Sequence, residues 1–205
     1  MEIILASTNL QKIREFRELF HLLQFVDLLS LHQFNQYQLP EETGITFKEN
    51  AILKATHAAK HLQKWTLADD SGLVVPALNN EPGIFSARYA GPHKSEQENR
   101  EKLLNCMLHL KDEEREAYCV CAIALAGPDG YIKCVEGICE GRIAEEARGR
   151  GGFGYDSLFI KNGYEKTFAE IPSVKNRISH RARAFERLII LLESLKNQAC
   201  IPAEF

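Results

Sequence analysis

The chain opens on an apolar run, Ile3-Ile4-Leu5-Ala6, that breaks at once into Ser7-Thr8-Asn9 and then into a segment with apolar residues at helical spacing. Residues 2–6 read as a buried strand. Asn9 opens a helix to about Leu23, with Ile13, Phe16, Phe20 and Leu23 on one face. A strand that hands directly to a helix is a βα unit, and it steers the fold toward the α/β architectures, in which helices cover a sheet. It also marks a place for a ligand, because open α/β sheets bind at the C-terminal ends of their strands.

The rest of the pattern agrees. A short strand near Phe25–Leu28 precedes a polar loop, Gln33–Gly44, that ends in Glu41-Glu42-Thr43-Gly44. Thr46-Phe47-Lys48-Glu49 is a capping box opening a helix to about Leu62, and Ser95-Glu96-Gln97-Glu98 is another, opening a helix to about Leu110. Thr66-Leu67-Ala68 is a short strand that delivers Asp69-Asp70-Ser71-Gly72, with Leu73-Val74-Val75 extended beyond it. Tyr118–Leu125 and Tyr131–Cys139 form a hairpin about Gly127-Pro128-Asp129-Gly130. Tyr155–Ile160 reads as a strand, and a last helix spans Ser179 to Lys196 with Phe185, Leu188, Leu192 and Leu195 as its core stripe. The expectation is an α/β domain with a mixed central sheet and flanking helices.

At 205 residues, 45% hydrophobic and 26% charged, the chain suits one well-packed domain, residues 1–205, with room for a sub-lobe. A net charge of −3 gives no general attraction for nucleic acid, so none is expected as a partner. No apolar run approaches the roughly 20 residues of a membrane span. The start has no basic segment ahead of an apolar one, so no signal peptide is read and the expected setting is cytoplasmic. Cys106, Cys119, Cys121, Cys134, Cys139 and Cys200 form no CxxC pair. Small apolar packing in a reduced compartment is a better reading for them than zinc or disulfides.

Four groups of residues carry chemistry. Ser7, Thr8 and Asn9 end the first strand, and Lys12 lies in the first helical turn; hydroxyls, helix N–H groups and an ammonium together attract a phosphate. The plainer reading is an ordinary N-cap and a solvated lysine. Asp69 and Asp70 follow a strand end and, with Glu41-Glu42 on the polar loop, supply the hard oxygens that Mg²⁺ takes; the alternative is an Asp-Ser-Gly turn and a solvated acidic loop. Lys54 shares a helix face with Asn50, His57 and His61, where a solvated face is favoured over a histidine metal site. Arg88, on the glycine-bounded loop Gly83–Gly91, could reach a phosphate or pair with a surface carboxylate.

The fourth group suits a flat heteroaromatic ligand. Phe153, Gly154, Tyr155 and Asp156 sit in a glycine-dense stretch, with Ser179-His180-Arg181 further on. Rings stack on a base, a carboxylate accepts from an N–H edge, and His and Arg donate to exocyclic oxygens. Gly149, Gly151 and Gly154 match G-x-G-x-x-G, but Ala144–Arg148 is no strand and no helix follows, so the dinucleotide reading is rejected.

Taken jointly, Leu5–Lys12, Glu41–Ala55, Ala68–Leu73, Pro82–Gly91, Gly151–Asp156 and Lys175–Ala182 closely resemble the inosine/xanthosine triphosphate pyrophosphatase family, over nearly the whole chain. The resemblance implies two lobes around a substrate cleft, a homodimer, and Mg²⁺-dependent hydrolysis of ITP, dITP and XTP to the nucleoside monophosphate and pyrophosphate. It places Ser7, Thr8, Asn9, Lys12 and Lys54 on the triphosphate and Glu42 and Asp70 on the metal, with Asp70 also the base. Ser71 contacts substrate, and Phe153, Gly154, Tyr155, Asp156, Lys175, His180 and Arg181 form the base pocket. Thr8, Ser157 and Pro172-Ser173-Val174 depart from common family choices without removing a functional group. Two rival readings are a Maf-like pyrophosphatase of other base specificity and a nucleotide sensor without turnover.

Overall fold

The computed structural model describes residues 1–199; Cys200 and the expectations attached to it lie outside them. The elements, in order, are β1 (Glu2–Leu5), α1 (Leu10–Phe20), β2 (Asp27–Ser30), α2 (Phe47–Leu62), β3 (Thr66–Val74), α3 (Glu96–Cys106), β4 (Glu116–Ala126), β5 (Ile132–Ile143), β6 (Phe159–Lys161), α4 (Pro172–Ile178) and α5 (His180–Ala199). The six strands form one sheet in the order β2-β1-β3-β4-β5-β6. β1 runs parallel to β2 and β3, and every later pairing is antiparallel, so the sheet is mixed as expected.

Local chemistry explains most boundaries. The Asn9 side chain accepts from the N–H groups of Gln11 and Lys12 and caps α1, whose Ile13, Phe16 and Phe20 are buried. The Ser95 box is complete, whereas Thr46 accepts from Glu49 N–H but Glu49 reaches back to Ile45 rather than to Thr46. α2 lays Ala51, Ala55, Ala58 and Ala59 against Ala68, Ala122, Ala124 and Ala126 of the sheet, and side chains this small let helix and sheet approach closely.

Several expectations are corrected. α1 stops at Phe20, where Leu23 N–H turns back to the Phe20 carbonyl, and α3 stops at Cys106. β2 starts at Asp27, in register with Glu2. Tyr155–Leu158 is a turn, closed by Leu158 N–H on the Tyr155 carbonyl, so only the end of the expected strand remains as β6. A short helix, α4, precedes α5.

The largest correction concerns Asp69-Asp70-Ser71-Gly72. These residues do not follow a strand end and do not turn; they lie within β3, which pairs with β4 without a break from Thr66 to Val74. Leu67 belongs to a core with Ile3, Leu5, Phe16 and Phe185, whereas Leu73 and Val75 belong to another with Leu103, Met107 and Phe159. The polar segment is the stretch of β3 between those two cores.

Gly137 of β5 positions the C-terminal helix. A Cβ there would lie 2.2 Å from the His180 carbonyl oxygen and 2.3 Å from Ala184 N, so only glycine lets the first turn of α5 seat on the sheet. That seat brings His180 and Arg181 beside Asp69.

Candidate active site

A cavity of about 380 Å³ opens where the ends of β1, the middle of β3, α2 and the first turn of α5 converge. Ser7, Thr8, Asn9, Lys12, Glu42, Lys54, Asp70, Ser71, Phe153, Gly154, Tyr155, Asp156, Lys175, His180 and Arg181 all line it. Arg88 does not; it pairs with Glu42 at 3.3 Å and packs over the exposed Phe85 ring. The helix end at Asn9 is also less free than expected, because two of its N–H groups already bind the Asn9 side chain.

One end of the cavity holds carboxylates and ammonium groups in pairs. Lys54 Nζ lies 2.7 Å from Glu42 and 3.8 Å from Asp70. Asn50, wholly buried, donates to Asp70 at 3.0 Å and accepts from Gly44 N–H, tying the acidic loop to β3. Lys12 Nζ lies 3.0 Å from Asp69.

Burial and charge set the protonation of these groups. Burial pushes the Asp70 carboxyl above its ordinary value, and Lys54 and Lys12 only partly offset this. Burial acts the same way on Asp69, but Lys12, Arg181 and Lys54 outweigh it and hold that carboxyl well below the usual range. In Glu42 burial is likewise outweighed, chiefly by Lys54, and the pKa falls. Burial works against the Lys54 charge, yet Asp70, Asp69 and Glu42 together raise its pKa, so it stays an ammonium.

The other end is aromatic and cationic. Lys175 Nζ stands 4.5 Å from the Phe153 ring centre and bonds Glu15 at 2.7 Å and Asp156 at 2.5 Å. Arg181, 1% exposed, donates to Glu15, to Asp69 at 3.2 Å and to Ser71 Oγ at 3.0 Å, while its Nε–H is buried without a partner among the described residues. His180 is buried, and burial together with the Arg181 and Lys175 charges depresses its pKa far enough to keep it neutral. Tyr155 donates its hydroxyl to the Ser86 carbonyl at 2.9 Å, which fixes the ring.

Glu15 was missed from the sequence. Burial raises its pKa, but Arg181 and Lys175 outweigh burial and keep it ionised between them. It lies three positions after Lys12 on the helix that Asn9 caps, and that spacing puts both on one face, which is the signal that would have found it. Asn50 was seen only as part of a polar helix face. Its partners on that face, His57 and His61, stack on each other beside Tyr37, outside the cavity lining.

The Ham1 family profile matches residues 3–191. The chain belongs to the Ham1 family. Among Ham1 relatives, the dITP/XTP pyrophosphatase of Protochlamydia amoebophila (strain UWE25) is 61% identical over 199 residues, covering 96% of this chain and 100% of that protein. The dITP/XTP pyrophosphatase of Chlamydia caviae is 45% identical over 203 residues, 98% of each chain. The Ham1 protein of Staphylococcus aureus superposes with a TM-score of 0.84 at 44% identity, over 95% of this chain and 99% of that one. The HAM1 protein of Coxiella burnetii gives 0.86 at 43% identity, with the same coverage. The fold and the family read from the motifs both stand.

Proposed function

We propose that this chain hydrolyses deaminated purine nucleoside triphosphates, dITP, XTP and ITP, between the α and β phosphates, giving the nucleoside monophosphate and pyrophosphate and clearing these nucleotides from the pool. One observation carries the reading: a single cavity joins a carboxylate–lysine end to an aromatic–cationic end, the two chemistries a purine triphosphate needs. We further propose that the chain acts as one two-lobed domain in a cytoplasmic homodimer, as the family resemblance implies. No described helix is long and apolar enough to cross a membrane.

Glu42 and Asp70 fit Mg²⁺. Among the described residues no group of three or more metal-ligating side chains occurs, and Mg²⁺ characteristically takes one or two carboxylates and completes its shell from phosphate and water. Bound there, the ion would neutralise phosphate charge and orient the reacting group.

The chain's own residues divide the remaining work. Lys12 and Lys54 grip the phosphates and stabilise the charge of the departing pyrophosphate, with Ser7, Thr8, Asn9 and Ser71 as hydrogen-bonding partners and Arg88 at the rim beside Glu42. A water attacks the α-phosphorus, and Asp70, whose proton affinity burial raises, accepts its proton. Asp69, held ionised, anchors Lys12 and Arg181 instead. Phe153 and Tyr155 flank the base, with Gly154 keeping their loop in shape. Asp156 and Lys175 support that wall, and His180 and Arg181 face the oxygens of the base.

The deciding experiment is product analysis with ITP and Mg²⁺. IMP plus pyrophosphate supports the reading, and IDP plus phosphate would overturn it. Turnover confined to pyrimidine or modified nucleotides would favour the Maf-like alternative, and tight binding without product would favour a sensor.

A further inference from the structure

Two side chains of α3 hold the two peptide units that flank Gly154 in the aromatic loop. Gly154 N–H donates to Glu96 Oε2 at 2.8 Å, and the Gly154 carbonyl accepts from Arg100 Nη1 at 2.8 Å. Glu96 and Arg100 lie 3.8 Å apart as an i,i+4 ion pair, so each orients the other. Gly154 has φ +58°, and a Cβ there would meet nothing within 4 Å; its left-handed backbone, not lack of space, calls for glycine. That residue sits between Phe153 and Tyr155, the two rings of the base end, and Glu96 lines the same cavity.

The anchorage of α3 is uneven. Towards the Gly83–Arg88 side it is fixed by a buried side chain: Asn99, 3% exposed, accepts from Ala90 N–H at 2.7 Å and donates to the Ala87 carbonyl at 3.1 Å. Lys102 adds a bond to the Tyr89 carbonyl at 2.7 Å. Towards the aromatic loop its hydrogen bonds, among the described residues, come from Glu96 and Arg100, whose side chains are 53% and 26% exposed, beside the apolar cluster that Leu103 shares with Tyr155. Charge-assisted bonds to a backbone N–H are strong for their size, yet in water-exposed positions they weaken with salt. One wall of the pocket is thus fixed to α3 and the other is held by a contact that can release.

We propose that Glu96 and Arg100 are positioning residues that latch the Phe153–Tyr155 loop across the base end of the pocket. Neither bonds Lys12, Lys54, Glu42 or Asp70, the side chains proposed for phosphate and metal, so they act on nucleotide binding and not on the hydrolytic step. The proposal rests on the pyrophosphatase reading for its substrate, but not for its geometry. The bond from Tyr155 to the Ser86 carbonyl does not involve the latch, so the loop should still fold when the latch is lost.

The test uses the full chain with Glu96→Ala, Arg100→Ala, Arg100→Lys and the double alanine variant. Lys94→Ala is the control; it breaks a 2.8 Å pair to Glu98 beside the same helix that does not reach the loop. With dITP, each alanine variant should raise KM by about threefold to tenfold, the yield of one or two net hydrogen bonds, with kcat unchanged. The double variant should be no worse than the worse single, and Arg100→Lys should recover part of the loss. Added KCl weakens the phosphate contacts in every variant, so the KM of wild type and Lys94→Ala should rise more steeply than that of Glu96→Ala, and the ratio between them should narrow. Hydrogen exchange of the nucleotide-free protein should be faster over residues 153–156 in Glu96→Ala. Wild-type KM in both alanine variants, a fall in kcat at constant KM, or unchanged exchange would each overturn the latch. Should the wild type hydrolyse no purine triphosphate, the functional reading falls, and the exchange rates alone decide whether the loop is latched.

Discussion

Asp69 and Asp70 are consecutive residues of β3 that take different cations: Asp69 meets Lys12 at 3.0 Å and Arg181 at 3.2 Å, whereas Asp70 meets Lys54 at 3.8 Å. Strand alternation sends neighbouring side chains to opposite faces, so one carboxylate joins α1 to α5 and the other turns to α2. The split produces two protonation behaviours from one dipeptide. Asp69 is held ionised and anchors its two cations; Asp70 has its proton affinity raised, as the role of base proposed for it requires.

Asp70→Asn should lower turnover by about 10²- to 10⁴-fold, the range for losing a positioned acid–base group. Its stability near neutral pH should not fall. Between the ordinary carboxylate pKa and the raised folded value, the folded chain binds more protons than the unfolded one, so stability declines as pH rises through that window. Asn removes this decline. Urea midpoints for both proteins across the window would check it, and a variant as active as wild type at saturating Mg²⁺ would end the assignment.

Asp69→Asn should act in the opposite sense and destabilise by about 3 kcal/mol, because it leaves Lys12 and the buried Arg181 short of a countercharge. The stabilisation from Asp69 is present above the unfolded carboxylate pKa of about 3.9 and is lost as pH falls towards the depressed folded value. Acid titration of the denaturant midpoint should therefore be shallower in the variant. An unchanged midpoint at neutral pH would remove Asp69 from its anchoring role.

Much of this was legible in the chain. Caps at Asn9, Thr46 and Ser95 and the apolar stripes set the helices, and fifteen of the residues singled out line one cavity, with Arg88 beside it. Two things were hidden. The Asp69–Gly72 stretch looks like a turn because its composition is that of one; its strand geometry comes from β4, a partner about 50 residues away in sequence, and tertiary pairing overrides local preference. Glu15 looks like any exposed helix charge, and only the arrival of Lys175 and Arg181 from the far end of the chain gives it a function.

Lys12→Ala should weaken catalysis alike for ITP, dITP and XTP, because its ammonium sits at the carboxylate end of the cavity and not beside the aromatic rings. Steady-state kcat/KM with each triphosphate measures this. A loss confined to one base would move Lys12 to base selection.

Base choice is the task proposed for Arg181. ITP and XTP carry oxygen at C6 and a protonated N1, whereas ATP carries an amino group and an unprotonated N1. Arginine can only donate, so it suits O6 and opposes the adenine amino group. A buried donor left facing a donor costs about 1–3 kcal/mol, more when charged, and sites built on such bonds discriminate by orders of magnitude. GTP also carries O6, so Arg181 does not reject it. Arg181→Ala would strip Glu15 and Asp69 of their shared partner and lower stability as well, which makes Arg181→Lys the sharper variant. Lysine keeps the charge that those carboxylates need but lacks the planar fork and its Nε–H, the donor that is buried without a partner among the described residues. Arg181→Lys should therefore stay folded, slow ITP and XTP, and leave ATP nearly unchanged, closing most of the gap between them. A folded Arg181→Lys enzyme with its ITP:ATP ratio of kcat/KM intact would refute the role given to this side chain.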